Sequence, residues 1–272
     1  MRKLFPLFRP WLVLGNGAAA VGGYLLFPGE LQRPRLLAVF FAVCLLAAAG
    51  SALNQVLESD LDALMERTRS RPLPSGTLTP LAATLIGMSL ATAGQWLLIG
   101  WGGPSAALVG AAALMWYLVV YTPLKRRTPF ALLVGAFCGM APPAIGWAAA
   151  GGSLSDFRVV LLTGILYLWQ VPHFWLLQRR WAEDYRRAGF PLFVPAGNST
   201  FPVAVCRLWL AAVIAGAMMF PAFGIVGHAA PYWCAAFSIP LAVALFKRCE
   251  PLLAPCLNLF PLLLTLALSS GR

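Results

Sequence analysis

The chain has 272 residues, of which 60% are apolar and only 11% charged, and its mean hydropathy is +0.77. This composition excludes ordinary soluble globular domains and disordered chains. The net charge of +11 sits on basic residues between apolar stretches, not along a stripe or tail, so it reads as membrane topology and argues against nucleic acid as a partner.

Taken in chain order, the uncharged stretches divided at Gly and Pro clusters predict nine helices, at about 10–28, 36–57, 79–100, 104–121, 129–150, 158–178, 202–226, 230–246 and 252–269. The expected fold class is all-α, a polytopic membrane protein of about nine transmembrane helices in the lipid bilayer, with no linker dividing the single domain 1–272. Met1-Arg2-Lys3 and the apolar run through Ala18-Ala19-Ala20 imitate a secretory signal, but the run is too long, so an uncleaved first helix is expected. Cys44, Cys138, Cys206, Cys234, Cys249 and Cys256 show no metal-type spacing and read as small packing residues.

With these spans, Arg2, Lys3 and Arg9 share one side with the basic groups of loops 67–71, 125–127, 179–187 and 247–248, fifteen cations in all. Arg33, Arg35, Arg158 and Arg272 fall on the other side, and Arg207 lies inside a span, where it either snorkels or faces the interior. The bias places the amino terminus in the cytoplasm, and the Ala, Leu and Arg richness with compact loops favours a bacterial plasma membrane. Six of the nine carboxylates cluster in two places on the cytoplasmic side: Glu58, Asp60, Asp62 and Glu66 after helix 2, and Glu183 and Asp184 after helix 6. Asp62 and Asp184 are 122 residues apart, and the Arg9-Pro10 and Thr128-Pro129 pairs that open helices 1 and 5 are 119 apart, a faint internal echo that suggests a structural repeat.

Asn54, Glu58 and Asp62 are spaced i, i+4, i+8, so on a helix they form one oxygen-bearing stripe, with Asp60 pointing elsewhere. Two carboxylates and an amide oxygen suit a hard divalent cation. The other reading is an ordinary helix terminus whose acids pair with Arg67, Arg69 and Arg71. The second acidic cluster, set among Arg179, Arg180, Arg186 and Arg187, favours the first: acids beside bases on two loops match a metal-bridged diphosphate, and a diphosphate on a hydrocarbon cavity implies an isoprenoid.

Asn54-x₃-Glu58-x₃-Asp62-x₂-Met65-x-Arg67-Thr68-x₂-Arg71-Pro72-Leu73-x₂-Gly76 resembles the first acidic motif of the UbiA-type intramembrane prenyltransferases, in wording nearest their protoheme IX farnesyltransferase branch. Three further blocks agree in order: Tyr121-Thr122-x-Leu124-Lys125-Arg126-x-Thr128-Pro129, Gly139-x₂-Pro142-Pro143-x-Ile145-Gly146-Trp147, and Trp169-x₂-Pro172-His173-Phe174 leading to Asp184-Tyr185-x₂-Ala188-Gly189-x-Pro191. Glu58 stands where most members have Asp, and Arg9 where Lys is usual. The second motif has Asp184 but no acid at position 188, which resembles the heme branch more than the quinone branch.

The resemblance implies helices around a central cavity and transfer of a farnesyl group from farnesyl diphosphate to a vinyl group of heme B, with water supplying a hydroxyl; a quinone precursor or other aromatic acceptor is the alternative. It implies Mg²⁺ held by Asn54, Glu58, Asp62 and Asp184, with Arg67, Arg71, Lys125 and Arg126 on the outer diphosphate oxygens. Heme-handling proteins are expected partners. Tyr121 and Trp169 either face an allylic cation or are, respectively, an interfacial belt residue and plain packing. His173 is either structural, beside the carbonyl freed by Pro172, or in contact with heme or a proton. Gly139, Pro142, Pro143 and Gly146 are expected to break helix 5, for heme approach or as a packing kink.

Overall fold

The computed structural model describes residues 5–192, 200–246 and 250–270. Arg2, Lys3, Lys247, Arg248, Cys249, Arg272 and the side chain of Cys206 lie outside the described residues. Each predicted stretch holds a long helical segment: α1 Pro10–Leu26, α2 Arg33–Leu57, α3 Pro80–Gly102, α4 Pro104–Leu124, α5 Ala131–Ala149, α6 Phe157–Arg180, α7 Thr200–Ala222, α8 Gly227–Phe246 and α9 Glu250–Ser270. Among the described residues, six of them, α2 to α6 and α8, are both long and apolar enough to cross a bilayer.

The helix starts are chemical. Proline occupies the first turn of α1, α2, α3 and α4, where a missing N–H costs nothing. Thr79 caps α3 by accepting from the Ala82 N–H at 3.2 Å, and Asp156 caps α6 by accepting from the Arg158 N–H at 2.9 Å. Gly103, at φ 84°, makes the reversal between α3 and α4 that a β-carbon would oppose.

Large apolar side chains such as Trp11, 86% exposed, and Trp96, 77% exposed, cover the outside, as lipid requires and water would not permit. The chain is an integral membrane protein. Helix α5 is the hub: 61% of its span is buried, against 17% of α4, and it packs against α1, α4 and α6. Two large apolar cores result, beside smaller clusters. Tyr24, Val43, Leu98, Ala106 and Ile145 join α1 to α5, while Phe220, Trp233, Phe237 and Phe260 join α6 to α9. Helix α9 returns against α1, where Thr265 Oγ1 donates to the Ala18 carbonyl at 3.4 Å.

The expected break in helix 5 is corrected. Helix α5 runs through Pro142 and Pro143 without interruption, and its glycines admit neighbouring helices. A β-carbon on Gly146 would collide with the Ala20 carbonyl of α1, and one on Gly23 with the Pro143 carbonyl of α5. Backbone cannot yield as a side-chain tip can, so Gly146→Ala is expected to cost about 1–3 kcal/mol. Thermal unfolding in detergent should show it, with Gly164→Ala, which meets nothing within 4 Å, unchanged or slightly more stable.

Candidate active site at the mouth of the helix bundle

A cavity of about 280 Å³ opens among α1, α2, α4, α5 and α6, far more than a single water needs. Its body is apolar, with Val43, Leu46, Leu114, Leu132 and Ile145, and its mouth is ionic. The charged residues that line it are Arg9, Arg67, Arg71, Lys125, Glu58 and Asp62, four cations against two carboxylates. An anionic head on a long apolar tail has the complementary shape and charge.

Helix α2 ends at Leu57, and Glu58, at φ −123°, kinks the chain into a short helix, Ser59–Leu64. The kink does not destroy the expected stripe: the Glu58 N–H still donates to the Asn54 carbonyl at 3.0 Å, and the Asp62 N–H to the Glu58 carbonyl at 2.8 Å. Glu58 and Asp62 are therefore both buried and both turned into the cavity. Each rests against a cation. Lys125 Nζ lies 2.5 Å from Glu58 Oε2, and Arg71 Nη1 donates to both oxygens of Asp62 at 2.9 and 2.7 Å. Asn54 stands behind Glu58, donating at 3.0 Å to its Oε2 and at 3.1 Å to Thr122 Oγ1.

These partners do not exhaust the site. Glu58 Oε1, Arg9 Nε and Arg67 Nε are buried with no hydrogen-bond partner, an arrangement that is costly unless a ligand completes it. Arg9 is also the one non-glycine residue at positive φ among the described residues, at 50°, a strain of about 1–3 kcal/mol. Burial lowers the pKa of Lys125, with Glu58 opposing, and burial and the nearby Arg9 charge lower that of Arg71. Both cations sit under electrostatic pressure that a bound polyanion would relieve.

The two acidic loops converge. Asp184, on the short helix Ala182–Arg187, is buried, and its oxygens accept the backbone N–H groups of Glu66 and Arg67, each at 3.1 Å. Met65, Ala188 and Phe190 close an apolar contact beneath this clasp. Asp184 thus binds one loop to the other but does not line the cavity, unlike the metal-facing position expected for it.

Other expected residues also stand elsewhere. Arg126 faces outward, bonded to Asp60 at 3.0 Å and to the Leu57 carbonyl at 2.6 Å, because the helical turn after α4 points Lys125 inward and its neighbour away. His173 does not line the cavity; it stacks on Trp169 at 5.0 Å. Trp169 in turn stacks on Phe260 and donates to the Leu257 carbonyl at 2.6 Å, so it is packing between α6 and α9. Arg207 is half-buried on α7, also away from the cavity. Tyr121 does line it, parallel to Tyr117 at 5.7 Å, with Lys125 Nζ 5.5 Å from its ring centre. Tyr117, Gln170 and Gln178 also line the cavity and were not singled out from sequence, although amides on an otherwise apolar helix are a usable signal; Tyr185, from the second acidic motif, lines it too.

Among the described residues no group of three or more His, Cys, Asp and Glu side chains could enclose a metal by itself. Two carboxylates on one wall suit Mg²⁺ nonetheless, since that ion is commonly held by one or two carboxylates together with substrate phosphates.

The UbiA prenyltransferase family model matches residues 16–254. The chain belongs to this family. It is similar to the protoheme IX farnesyltransferase of Geobacter sulfurreducens, 53% identical over 98% of both chains, and to that of Aquifex aeolicus, 36% identical over 74% of this chain and 69% of the relative. Its fold matches digeranylgeranylglyceryl phosphate synthase, at TM-score 0.74, 18% identity and 100% and 99% coverage of the two chains. It also matches a UbiA homolog from Archaeoglobus fulgidus bound to GPP and Mg²⁺, at TM-score 0.73, 13% identity and 99% coverage of both chains. The UbiA fold is thereby shown, and the ionic mouth of the cavity is the candidate active site of this family member.

Proposed function

We propose that this enzyme transfers the farnesyl group of farnesyl diphosphate to a vinyl group of heme B, giving heme O, at the cytoplasmic face of a bacterial plasma membrane with its amino terminus inside. The observation that carries the reading is the mouth itself, with two carboxylates and four cations above an apolar cavity. The names of the relatives from Geobacter sulfurreducens and Aquifex aeolicus support heme B as acceptor. Heme-handling partners belong to the same proposal, because free heme is poorly soluble.

In this mechanism Arg9, Arg67 and Arg71 hold the diphosphate oxygens, and Lys125 leaves Glu58 for the developing charge on the leaving group. Glu58 and Asp62, so released, with Asn54 behind them, are the residues that would hold Mg²⁺, which supplies Lewis-acid stabilisation of the diphosphate. Tyr121 already presents its ring to the Lys125 cation and offers the same face to an allylic cation. The Asp184 clasp keeps the loop that bears Arg67 over the mouth and limits water.

Incubating the purified protein with Mg²⁺, farnesyl diphosphate and heme B should give farnesylated heme by mass spectrometry. Turnover of an aromatic acid without turnover of heme would assign the quinone-type acceptor. Because burial lowers the Lys125 pKa, this cation is lost at lower pH than an ordinary lysine, and activity should fall as pH rises through that value. Lys125→Arg, which stays charged, is expected to move the alkaline limb of kcat/KM to higher pH, whatever its effect on the maximum.

A further inference from the structure

The proposed transfer needs a water at a defined place, and of the two cavity amides with an unpartnered buried oxygen, Gln170 and Gln178, Gln170 is about two helical turns farther from the basic end of α6. It lies on α6, lines the cavity, and its Oε1 is buried with no hydrogen-bond partner. Its depth follows from α5. Tyr121 abuts Gly135 and the Gln170 amide abuts Gly139, and these glycines are one helical turn, about 6 Å, apart. Lys125 lies one turn beyond Tyr121 on the other side, toward the mouth. The order along the cavity is therefore leaving-group cation, aromatic ring, amide.

We infer that Gln170 positions the water that captures the heme-side cation, an inference that rests on the proposed farnesyl transfer. The allylic C–O bond breaks with its electron pair going to diphosphate, and the vinyl π pair forms the new C–C bond. That leaves a cation on the vinyl carbon beside the macrocycle. A water whose O–H donates to the Gln170 amide oxygen directs its lone pair at that carbon, forms the C–O bond, and gives up one proton to the released diphosphate. Without an oriented water the same cation discards a neighbouring proton and becomes an alkene. Gln170 is thus a positioning residue that decides the product and not the rate of ionisation.

The test is the product mixture made in isotopically labelled water by wild type, Gln170→Leu, Gln170→Glu and Gly139→Ala. Wild type should give mainly hydroxylated product carrying the label. Gln170→Leu should raise the ratio of alkene, lighter by one water, to hydroxylated product about tenfold, the change expected for losing one orienting hydrogen bond. Gln170→Glu, which keeps an oxygen acceptor, should restore hydroxylation. Gly139→Ala, whose new methyl displaces the flexible amide end and not backbone, should shift the ratio like Gln170→Leu and serves if that variant fails to fold. An unchanged ratio in both Gln170→Leu and Gly139→Ala overturns this inference alone. Absence of any farnesylated heme from wild type overturns the function on which it rests.

Discussion

Glu58→Gln and Asp62→Asn are each expected to lower kcat by about a hundredfold to a thousandfold, the range typical of removing one preorganised charge from a reacting centre. Both keep the side-chain shape, so the loss is electrostatic. Glu58 Oε1 is the unpartnered carboxylate oxygen of the site, and replacing the acid by an amide removes the anion that a divalent cation needs while leaving the amide oxygen for Lys125. The Asn54 and Thr122 contacts around it survive in outline. Helical content by circular dichroism should match wild type, and turnover at saturating substrate should carry the effect. Near wild-type kcat in either variant would remove that carboxylate from the reacting centre.

Asp184→Ala should be nearly as damaging but by a different route. It strips the acceptor from two backbone N–H groups, those of Glu66 and Arg67, each bound at 3.1 Å, and so unfastens the loop that carries Arg67 over the cavity. At about 1–3 kcal/mol for an orphaned buried group, a fall in kcat/KM of about a hundredfold follows. The pattern identifies the role. A loop clasp loses affinity for the diphosphate, and added Mg²⁺ does not help. A metal ligand, the role first expected of Asp184, loses apparent affinity for Mg²⁺ and is rescued by raising it. Steady-state kinetics over a Mg²⁺ series distinguish the two.

Most of the fold was legible because each boundary has a local cause. Pro10, Pro80 and Pro104 start helices, Thr79 and Asp156 cap them, and Gly103 reverses the chain, each a local residue signal readable from sequence. The acidic stripe was legible for the same reason: the hydrogen bonds Glu58 to Asn54 and Asp62 to Glu58 preserve helical spacing across a kink. What escaped was direction. Lys125 and Arg126 are adjacent, and only the packing of α4 against the bundle decides that one meets Glu58 inside while the other meets Asp60 outside. His173 and Gln170 lie three residues apart on one helix, and the unusual histidine turned out to stack on Trp169 while the plainer amide faces the cavity. Gly146 was read as a helix breaker because sequence shows a glycine but not the Ala20 carbonyl that fills its place.

In the proposed mechanism Glu58 and Asp62 give up their cations to a diphosphate bound jointly with Mg²⁺ above the apolar cavity. The most direct measurement is calorimetric titration of farnesyl diphosphate into detergent-solubilised protein with and without Mg²⁺, for wild type and for the double variant Glu58→Gln, Asp62→Asn. Wild type should bind tightly only when Mg²⁺ is present, and the double variant should gain nothing from Mg²⁺. Equal affinity with and without Mg²⁺ in wild type, or an undiminished Mg²⁺ effect in the double variant, would contradict this mechanism.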